Sequence, residues 1–140
     1  MSQPSEEELL ALAEKVAGEA AGGEQVEAFV SSGTSTSVRV HDGDIESLTQ
    51  ATSAGIGVRV VRDGRQGFAY AGSLDPAVIA EVLAEARDNA AYAQAEDWVG
   101  LAEPDAVAPP TLDLWRDDLA AMPTEAKVCL LYTSDAADEL

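Results

Sequence analysis

The sequence is poor in the residues from which most metal sites and disulfides are built. Its 140 residues include one cysteine and one histidine. A single cysteine cannot form an internal disulfide, which is typical of a reducing compartment. A zinc site needs about three converging His, Cys or carboxylate ligands, and the sequence pattern indicates no such set. We therefore expect no catalytic, cofactor-binding or metal-binding residue in this chain.

Positive charge is also scarce. Eight Lys and Arg residues stand against 26 Asp and Glu residues, which gives a formal net charge of −18. A strongly negative surface repels phosphate backbones and anionic lipid headgroups, so we expect no nucleic-acid binding. An acidic, well-solvated surface is the simplest interpretation. A salt-adapted host or a cationic partner would explain the same charge.

Long apolar runs are missing as well. A membrane-spanning helix needs about 18 or more consecutive apolar residues, and the sequence contains no such stretch. The first eight residues, MSQPSEEE, are acidic, whereas a secretory signal has a basic start followed by an apolar run. We therefore expect a cytoplasmic protein that does not span a membrane.

Residues 24–72 contain β-branched and aromatic side chains at period two, the spacing of a half-buried strand. The alternation is clearest in residues 33–41. Their inward face is predicted to carry Thr34, Thr36, Val38 and Val40, and their outward face Ser35, Ser37, Arg39 and His41. Asp-Gly pairs tolerate the positive φ of two-residue hairpin turns. Asp42-Gly43 and Asp63-Gly64 therefore predict two hairpins.

Two further strands are predicted between these turns, at residues 44–53 and 56–62, with Ala54-Gly55 as their connection. After the second turn, Phe68 and Tyr70 point to one side of a last strand. The other side carries only small residues and lets another element approach closely; these are Gly67, Ala69 and Ala71. The region as a whole predicts an antiparallel sheet of about four to five strands.

A helix is predicted on each side of this sheet. Ser5 and Glu8 have the spacing of a capping box, and Gly22-Gly23 is the residue type that ends a helix. The second helix is predicted to begin with Asp75 as N-cap and Pro76 at the first helical position. The buried stripes at helical spacing are Leu9, Leu12, Ala13, Val16, Ala17 and Ala20 in the first helix, and Ile79, Val82, Leu83, Ala86 and Ala90 in the second.

Antiparallel strands with flanking helices indicate an α+β domain, which we place at residues 1–94. Residues 95–128 hold four of the six prolines and both tryptophans. We interpret them as an extended, proline-rich connector that leads into the start of another domain. Large apolar side chains are worth roughly 1.5–3 kcal/mol each when buried, so those of the connector imply a surface to pack against. They are Trp98, Leu101, Leu114 and Trp115.

The last twelve residues are expected to differ in origin from the rest. Thr124 and Glu125 are typical of a helix start, and we predict that this helix stops at Cys129. The reason is that Cys129–Glu139, CLLYTSDAADE, resembles the translation of a transposon-end adapter used in preparing sequencing libraries. We interpret residues 129–140 as a non-native tail read through from an incomplete gene, and exclude them from the predicted fold.

The remaining nucleophilic residues are weak candidates for catalysis. His41 is predicted to be a solvated surface residue, and Cys129 is discounted with the tail. Four serines alternate along the first strand without the Gly-x-Ser-x-Gly elbow of serine hydrolases; they are Ser31, Ser32, Ser35 and Ser37. Strand propensity explains them better than chemistry does.

Arginine is concentrated in the strand region. Four of the eight cations lie there, namely Arg39, Arg59, Arg62 and Arg65. Solubilising a polar sheet face is the simplest interpretation. The alternative is that they clamp a carboxylate or a peptide backbone, and an exposed sheet edge would also accept an extended peptide by strand addition.

Residues 33–79 resemble the N-terminal domain of the TldD/PmbA (TldE) family of metalloproteases. The resemblance rests on D-G, I-E-S, G-I-G-V-R-V, D-G-R, G-F-A-Y and S-L-D-P, in that order before a helix. In the connector, D-W-V-G-L-A-E-P, L-D-L-W and P-T-E are more similar to the PmbA/TldE side than to the TldD side. The similar region extends over residues 6–128.

The resemblance implies a longer, two-domain protein in which an α+β domain precedes a β-rich domain. In this family TldD binds zinc through H-E-x-x-x-H and a further cysteine, TldE is its partner without evident catalytic residues, and the substrates are peptides, including the leader segments of modified peptide antibiotics. No zinc ligand of the family maps onto this chain, so we expect zinc only in the catalytic subunit of the complete complex.

We therefore expect an N-terminal fragment of a peptide-hydrolysing metalloprotease, or of its TldE-type partner, in a homo- or hetero-oligomer. The fragment would help to enclose the peptide substrate and would itself be inactive. The alternative is a stand-alone peptide-binding or subunit-interaction module. The gene sequence beyond Val128 distinguishes these possibilities. A β-rich continuation with H-E-x-x-x-H would indicate the protease, a continuation without this motif the partner subunit, and an immediate stop the stand-alone module.

Overall fold

The structure is a computed structural model that describes residues 3–41, 44–103, 107–108 and 110–138, with side chains up to Thr133. It divides into two compact units. The first contains Met1–Gly33 and Thr52–Glu103, and the second contains Thr34–Ala51 and Pro104–Leu140. Its elements are α1 (Glu6–Ala17), β1 (Glu24–His41), β2 (Asp44–Arg62), β3 (Arg65–Ala71), α2 (Pro76–Tyr92), α3 (Asp117–Ala120) and α4 (Thr124–Asp138).

The predicted starts of the two helices that flank the sheet are confirmed. At α1 the Glu8 amide donates to the Ser5 hydroxyl at 3.2 Å, and the Ser5 amide donates to a Glu8 carboxylate oxygen at 2.8 Å. At α2 the Asp75 carboxylate accepts from the Ala77 amide at 2.8 Å, and Pro76 occupies the first position. These side chains satisfy amides that have no partner inside a helix.

The end of α1 differs from the prediction. The helix stops at Ala17, with Gly18 as its cap, and not at Gly22-Gly23. Gly18 has right-handed φ and ψ, so the helix ends without the left-handed glycine that the sequence suggested. Ala20 consequently lies outside the helix and is exposed. The apolar stripe therefore reaches the core only as far as Val16.

The α+β class and the antiparallel pairing are confirmed, with three strands in the order β1-β2-β3 among the described residues. β2 pairs antiparallel with β3, and Arg62 opposite Arg65 is the pair next to the turn. Asp63 (φ 50°) and Gly64 (φ 69°) form that turn. Two consecutive positive φ values match the right-handed twist of a two-residue hairpin, as the Asp-Gly pair predicts. Asp42-Gly43 lies outside the described residues.

The predicted connection at Ala54-Gly55 is wrong. β2 runs without interruption from Asp44 to Arg62, which is why there are fewer strands than expected. A Cβ at Gly55 would lie only 2.8 Å from the Ala71 carbonyl oxygen. The glycine is therefore explained by the close approach of the end of β3 inside a sheet, and not by a turn.

The buried core lies in the first unit, on one face of the sheet. The core side chains come from α1, β2, β3 and α2; they are Val16, Ile56, Val58, Val60, Ala69, Ile79, Val82, Leu83, Ala86 and Ala90. All five residues of the predicted α2 stripe are among them. Each helix buries one apolar stripe and leaves its polar residues in water. The two helices thus cover the same face, and the opposite face carries the remaining strand side chains.

α2 packs against β3 along the predicted small-residue face. Gly67 is buried there, and a Cβ at this position would overlap the carbonyl oxygen of Ala86 and the amide nitrogen of Ala90. The absence of a side chain at Gly67 therefore sets how closely the helix backbone approaches the strand. The prediction that the small face admits close approach is confirmed.

The second unit contains the distal parts of β1 and β2, followed by two helices. In β1, Thr36, Val38 and Val40 are half-buried, as the alternation predicts, whereas Thr34 is exposed. α3 is a single turn that the sequence did not predict. The prediction that the last helix stops at Cys129 is wrong, because α4 continues to Asp138.

Candidate functional site

The predicted candidates for nucleophilic chemistry lie at scattered positions. His41 is exposed at the end of β1, and Cys129 is an exposed free thiol on α4. The four serines all belong to β1, where Ser32 is half-buried and the other three are exposed; these are Ser31, Ser35 and Ser37. Within the described part of the chain, no three His, Cys, Asp or Glu side chains are grouped closely enough to hold a metal ion.

The strand arginines differ in their partners. In the second unit, Arg39 approaches Glu46 at 3.7 Å, and both side chains are exposed. In the first unit, Arg59 donates from Nε to Glu27 at 2.7 Å and contacts the same carboxylate through its terminal nitrogen at 2.7 Å. Short, two-point contacts of this kind fix orientation better than a single long one. Arg59 is therefore held in place on the sheet face that the helices leave open.

Arg62 and Arg65 lie on the helix side and line a cavity of about 520 Å³ together with Arg87. The cavity is bounded by the β2–β3 turn and by the end of α2. Its apolar lining consists of small side chains; these are Val60, Ala90, Ala91 and Ala95. Two carboxylates, Glu24 and Asp63, complete the wall. Three guanidinium groups in one cavity are unusual for a chain with so few cations.

Glu24 is the most enclosed ionisable group in this cavity, with a side chain that is 5% exposed. It accepts a hydrogen bond from the Ala21 amide at 3.0 Å and from Nε and Nη2 of Arg87, both at 3.1 Å. The Ala21 amide, followed by Arg87 and the charge of Arg62, lowers the pKa of Glu24 below its ordinary value, although burial opposes this shift. Glu24 is thus held as a carboxylate.

Three aromatic side chains are exposed on the open sheet face of the first unit. Phe68 and Tyr70 stack with ring centroids 6.1 Å apart and an interplanar angle of 28°. Phe68 is opposite Arg59 in the register, and its ring lies 3.2 Å from where a Cβ of Gly57 would be. Phe29, on β1, is 72% exposed. The Arg59–Glu27 ion pair lies on the same face, so the surface combines aromatic rings with a fixed pair of charges.

The edge of β3 is less open than the strand order suggests. The Asn89 side-chain amide of α2 donates to the Phe68 carbonyl at 3.0 Å. An acceptor of the last strand is therefore already in use, which is one way in which proteins limit strand addition at an edge. The open face is consequently a better candidate for a peptide contact than the edge.

Among the described residues, two hydrogen bonds attach the connector to the sheet of the first unit. In one of them the Glu96 amide donates to the Gly64 carbonyl at 2.8 Å. The Leu101 amide donates to the Gln25 side-chain oxygen at 3.1 Å, and Leu101 is half-buried. Trp98 remains 80% exposed. In the second unit, Leu114 and Trp115 are also exposed. Of the four predicted anchor points, only Leu101 is partly buried.

Sequence reasoning missed the main residues of the cavity. Arg87 was overlooked because it lies on the polar side of α2, where a solvated arginine is ordinary. Glu24 was overlooked because no pattern in the neighbouring residues distinguishes it from an ordinary solvated acidic residue at the start of a strand. The one available signal was that α2 contains a single cation, Arg87, among the acidic residues of its polar face. Phe29 was missed although its alternation with Ala28 and Val30 places it outward.

Comparison with known proteins finds one family model that matches part of the chain. The family model described as PmbA/TldA metallopeptidase domain 1 matches residues 26–90. These residues include most of β1, all of β2 and β3, and most of α2. The match therefore falls on the elements that form the cavity and the open aromatic face. No curated protein matches the sequence.

A solved structure has the same fold. The chain superimposes on the crystal structure of TldE from Thermococcus kodakarensis with a TM-score of 0.55 and 24% sequence identity. The alignment covers 76% of this chain and 23% of the TldE chain. The chain thus spans less than a quarter of the length of that protein. No described helix is both long enough and apolar enough to cross a membrane.

Proposed function

The chain carries the first domain of the PmbA/TldD family, and from that premise we propose that it acts as a non-catalytic domain of a peptide-hydrolysing metallopeptidase. In this role it helps to enclose the peptide substrate beside a catalytic centre that other residues supply. The match to a TldE structure supports an assembly of the TldD/TldE type as its setting. The complete protein would then be either the peptidase subunit or its TldE-type partner.

The observation that carries this proposal is the spacing of Phe68 and Tyr70. Their ring centroids are 6.1 Å apart on an exposed sheet face. Alternate side chains of an extended peptide repeat every 6.4–6.8 Å or so, so an extended chain lying along β3 would place successive same-side residues over successive rings. Aromatic rings contribute large contact area at a small cost in side-chain entropy. We therefore commit to an extended peptide as the occupant of this face.

The neighbouring ion pair gives the face a polar partner for the peptide. Arg59 is held by Glu27 and lies opposite Phe68. Its fixed guanidinium can donate to a peptide carbonyl without losing further side-chain freedom, because the ion pair has already ordered it. Contact with aromatic rings does not require a particular side chain on the peptide. This also fits a domain that must bind peptides of different sequence.

The residues that the structure describes do not fit a zinc site. No three potential ligands are grouped, and the one histidine, His41, belongs to an exposed strand end. When bound elsewhere in the complex, zinc would activate the water that attacks the peptide bond. The role we assign to this chain is to bind and orient the peptide, and it requires no metal ligand here.

Peptide binding by the purified 140-residue chain tests the proposal. A fluorescently labelled, unstructured 12-residue peptide is titrated with the chain, and anisotropy is recorded. We expect weak binding that the double variant Phe68→Ser, Tyr70→Ser reduces at least fivefold, while Leu114→Ser, which also removes an exposed apolar side chain, leaves it unchanged. Equal binding by all three proteins would refute the peptide contact.

A second measurement tests the non-catalytic assignment. The same chain is incubated with unstructured peptides and zinc, and products are followed by mass spectrometry. We expect no hydrolysis and no stoichiometric zinc in the purified chain. Metal-dependent cleavage by the chain alone would contradict the proposal.

The alternative is that the open face binds a second subunit. Sedimentation velocity separates the two possibilities. If the Phe68→Ser, Tyr70→Ser variant lowers the association state of the chain without changing peptide binding, the face is a subunit interface and the stand-alone interaction module is favoured.

A further inference from the structure

Arg62 and Arg65 are direct cross-strand partners next to the β2–β3 turn. Their side chains share the helix side of the sheet and line the same cavity. Two like charges directly opposite in an antiparallel pair destabilise it. An anion near the two guanidinium groups, either from the protein or bound from solution, would offset this cost.

The protein supplies only part of that compensation. Arg62 has two ionic contacts, at 4.0 Å to Glu24 and at 3.7 Å to Asp63, both too long to be hydrogen bonds. Arg65 donates one hydrogen bond, to the Ala91 carbonyl at 3.2 Å. Each guanidinium has five N–H donors. Among the described residues, most of the N–H donors of these two side chains have no hydrogen-bond acceptor, so they are available to a ligand in the cavity.

Glu24 and Arg87, which also line the cavity, already have hydrogen-bond partners in the protein. Glu24 is held by Arg87 and the Ala21 amide. Arg87 also donates to the Glu19 carbonyl at 2.8 Å. Counting the three arginines against Glu24 and Asp63 leaves a single positive charge. One negative charge balances it, whereas a dianion would be repelled by the two carboxylates.

The shape of the cavity narrows the choice of ligand further. The floor is made of Val60 and three alanines from the end of α2 and the segment after it. Small apolar walls beside a guanidinium pair suit a carboxylate that carries a short apolar group. A guanidinium also matches the planar, two-oxygen shape of a carboxylate.

We propose that the cavity between the β2–β3 turn and the end of α2 binds a monoanionic carboxylate, with Arg62 and Arg65 as its two ligands and the alanine floor under its apolar part. A peptide C-terminus and a small free acid share this chemistry. The site is on the helix side of the sheet, opposite the aromatic face, and does not depend on the function proposed above.

The experiment uses the 140-residue chain with four probes: N-acetyl-dialanine, its C-terminal amide, propionate and inorganic phosphate. Binding is followed by titration calorimetry and by shifts of the Gly64 and Ala95 backbone amides in NMR spectra. We expect the acid to bind and the amide not to bind, with shifts confined to the cavity. Tighter binding of the peptide acid than of propionate identifies a peptide C-terminus, and equal binding identifies a small acid.

Variants assign the ligands. Arg62→Gln and Arg65→Gln should each weaken binding of the acid about tenfold, because each removes a charge-assisted hydrogen-bond donor. Arg39→Gln, which removes an exposed arginine of the second unit, should have no effect. Unchanged affinity in both cavity variants, equal binding of acid and amide, no binding of the acid, or tighter binding of phosphate than of the acid would each overturn the proposal.

Discussion

Glu24 and Arg87 are 63 positions apart in the sequence and form the most enclosed ion pair of the first unit. Both Nε and Nη2 of Arg87 lie 3.1 Å from one carboxylate oxygen of Glu24. The Glu24 side chain is 5% exposed and that of Arg87 is 35% exposed. Arg87 also donates to the Glu19 carbonyl. One guanidinium therefore connects α2, the start of β1 and the segment that follows α1.

Replacing Arg87 should weaken the fold of the first unit. Arg87→Met keeps the aliphatic part of the side chain but leaves the enclosed carboxylate of Glu24 without its main charged partner. Hydrogen bonds to charged groups contribute about 1.5–3 kcal/mol, and we expect a loss of that order in the free energy of unfolding, measured by urea denaturation. The matched control is Arg39→Met, whose exposed pair with Glu46 should be worth less than about 1 kcal/mol.

The same carboxylate predicts how stability depends on pH. The pKa of Glu24 lies below its ordinary value of 4.5 because of the Ala21 amide, Arg87 and Arg62. A group whose pKa is lowered by folding stabilises the folded state at pH values above its unfolded pKa, and this contribution is lost as pH falls through the folded pKa.

The free energy of unfolding should therefore fall as the pH drops below about 4.5, the ordinary pKa of this carboxyl group, and part of that fall should be absent in Glu24→Gln. Urea denaturation at several pH values, with Glu46→Gln as the exposed control, measures the difference. If Glu24→Gln and Glu46→Gln follow the wild-type curve with the same slope, the Ala21 and Arg87 bonds do not influence the ionisation of Glu24.

A side chain at Gly67 should separate β3 from α2. Gly67→Ala would place a Cβ against the backbone of Ala86 and Ala90, and backbone atoms cannot move aside as a flexible side chain can. Overpacking of this kind costs about 1–3 kcal/mol, occasionally more. Gly33→Ala is the control, because nothing lies within 4 Å of its added Cβ; it should be neutral or slightly stabilising. Similar unfolding midpoints for both variants would disprove the tight contact.

Local signals explain which parts of this fold the sequence predicts. Asp75 and Pro76 determine the start of α2, and the spacing from Ile79 onward determines its buried stripe, because all of these depend only on residues of one helix and its cap. Asp63-Gly64 likewise carries its own backbone preference. These features do not depend on how the rest of the chain folds.

The features that the sequence did not predict depend on distant partners. Gly55 is compatible with a turn or with a tight sheet contact, and only the position of Ala71 decides between them. No sequence pattern indicates that Glu24 and Arg87 form an ion pair. The cavity residues Arg62 and Arg65 were identified as possible anion ligands, but their position as direct cross-strand partners follows from the register of β2 and β3.

Removing residues 129–140 should leave the stability of the first unit unchanged. All the buried hydrophobic side chains of the described residues lie between Val16 and Ala90, and Cys129 and Leu130 are exposed. We expect equal protection from amide hydrogen exchange at Val58 in the truncated and complete chains. Leu83→Ala, which opens a cavity in that core, should instead lower the free energy of unfolding by about 2–5 kcal/mol. A loss above about 1 kcal/mol on truncation would show that the tail is an integral layer of the fold.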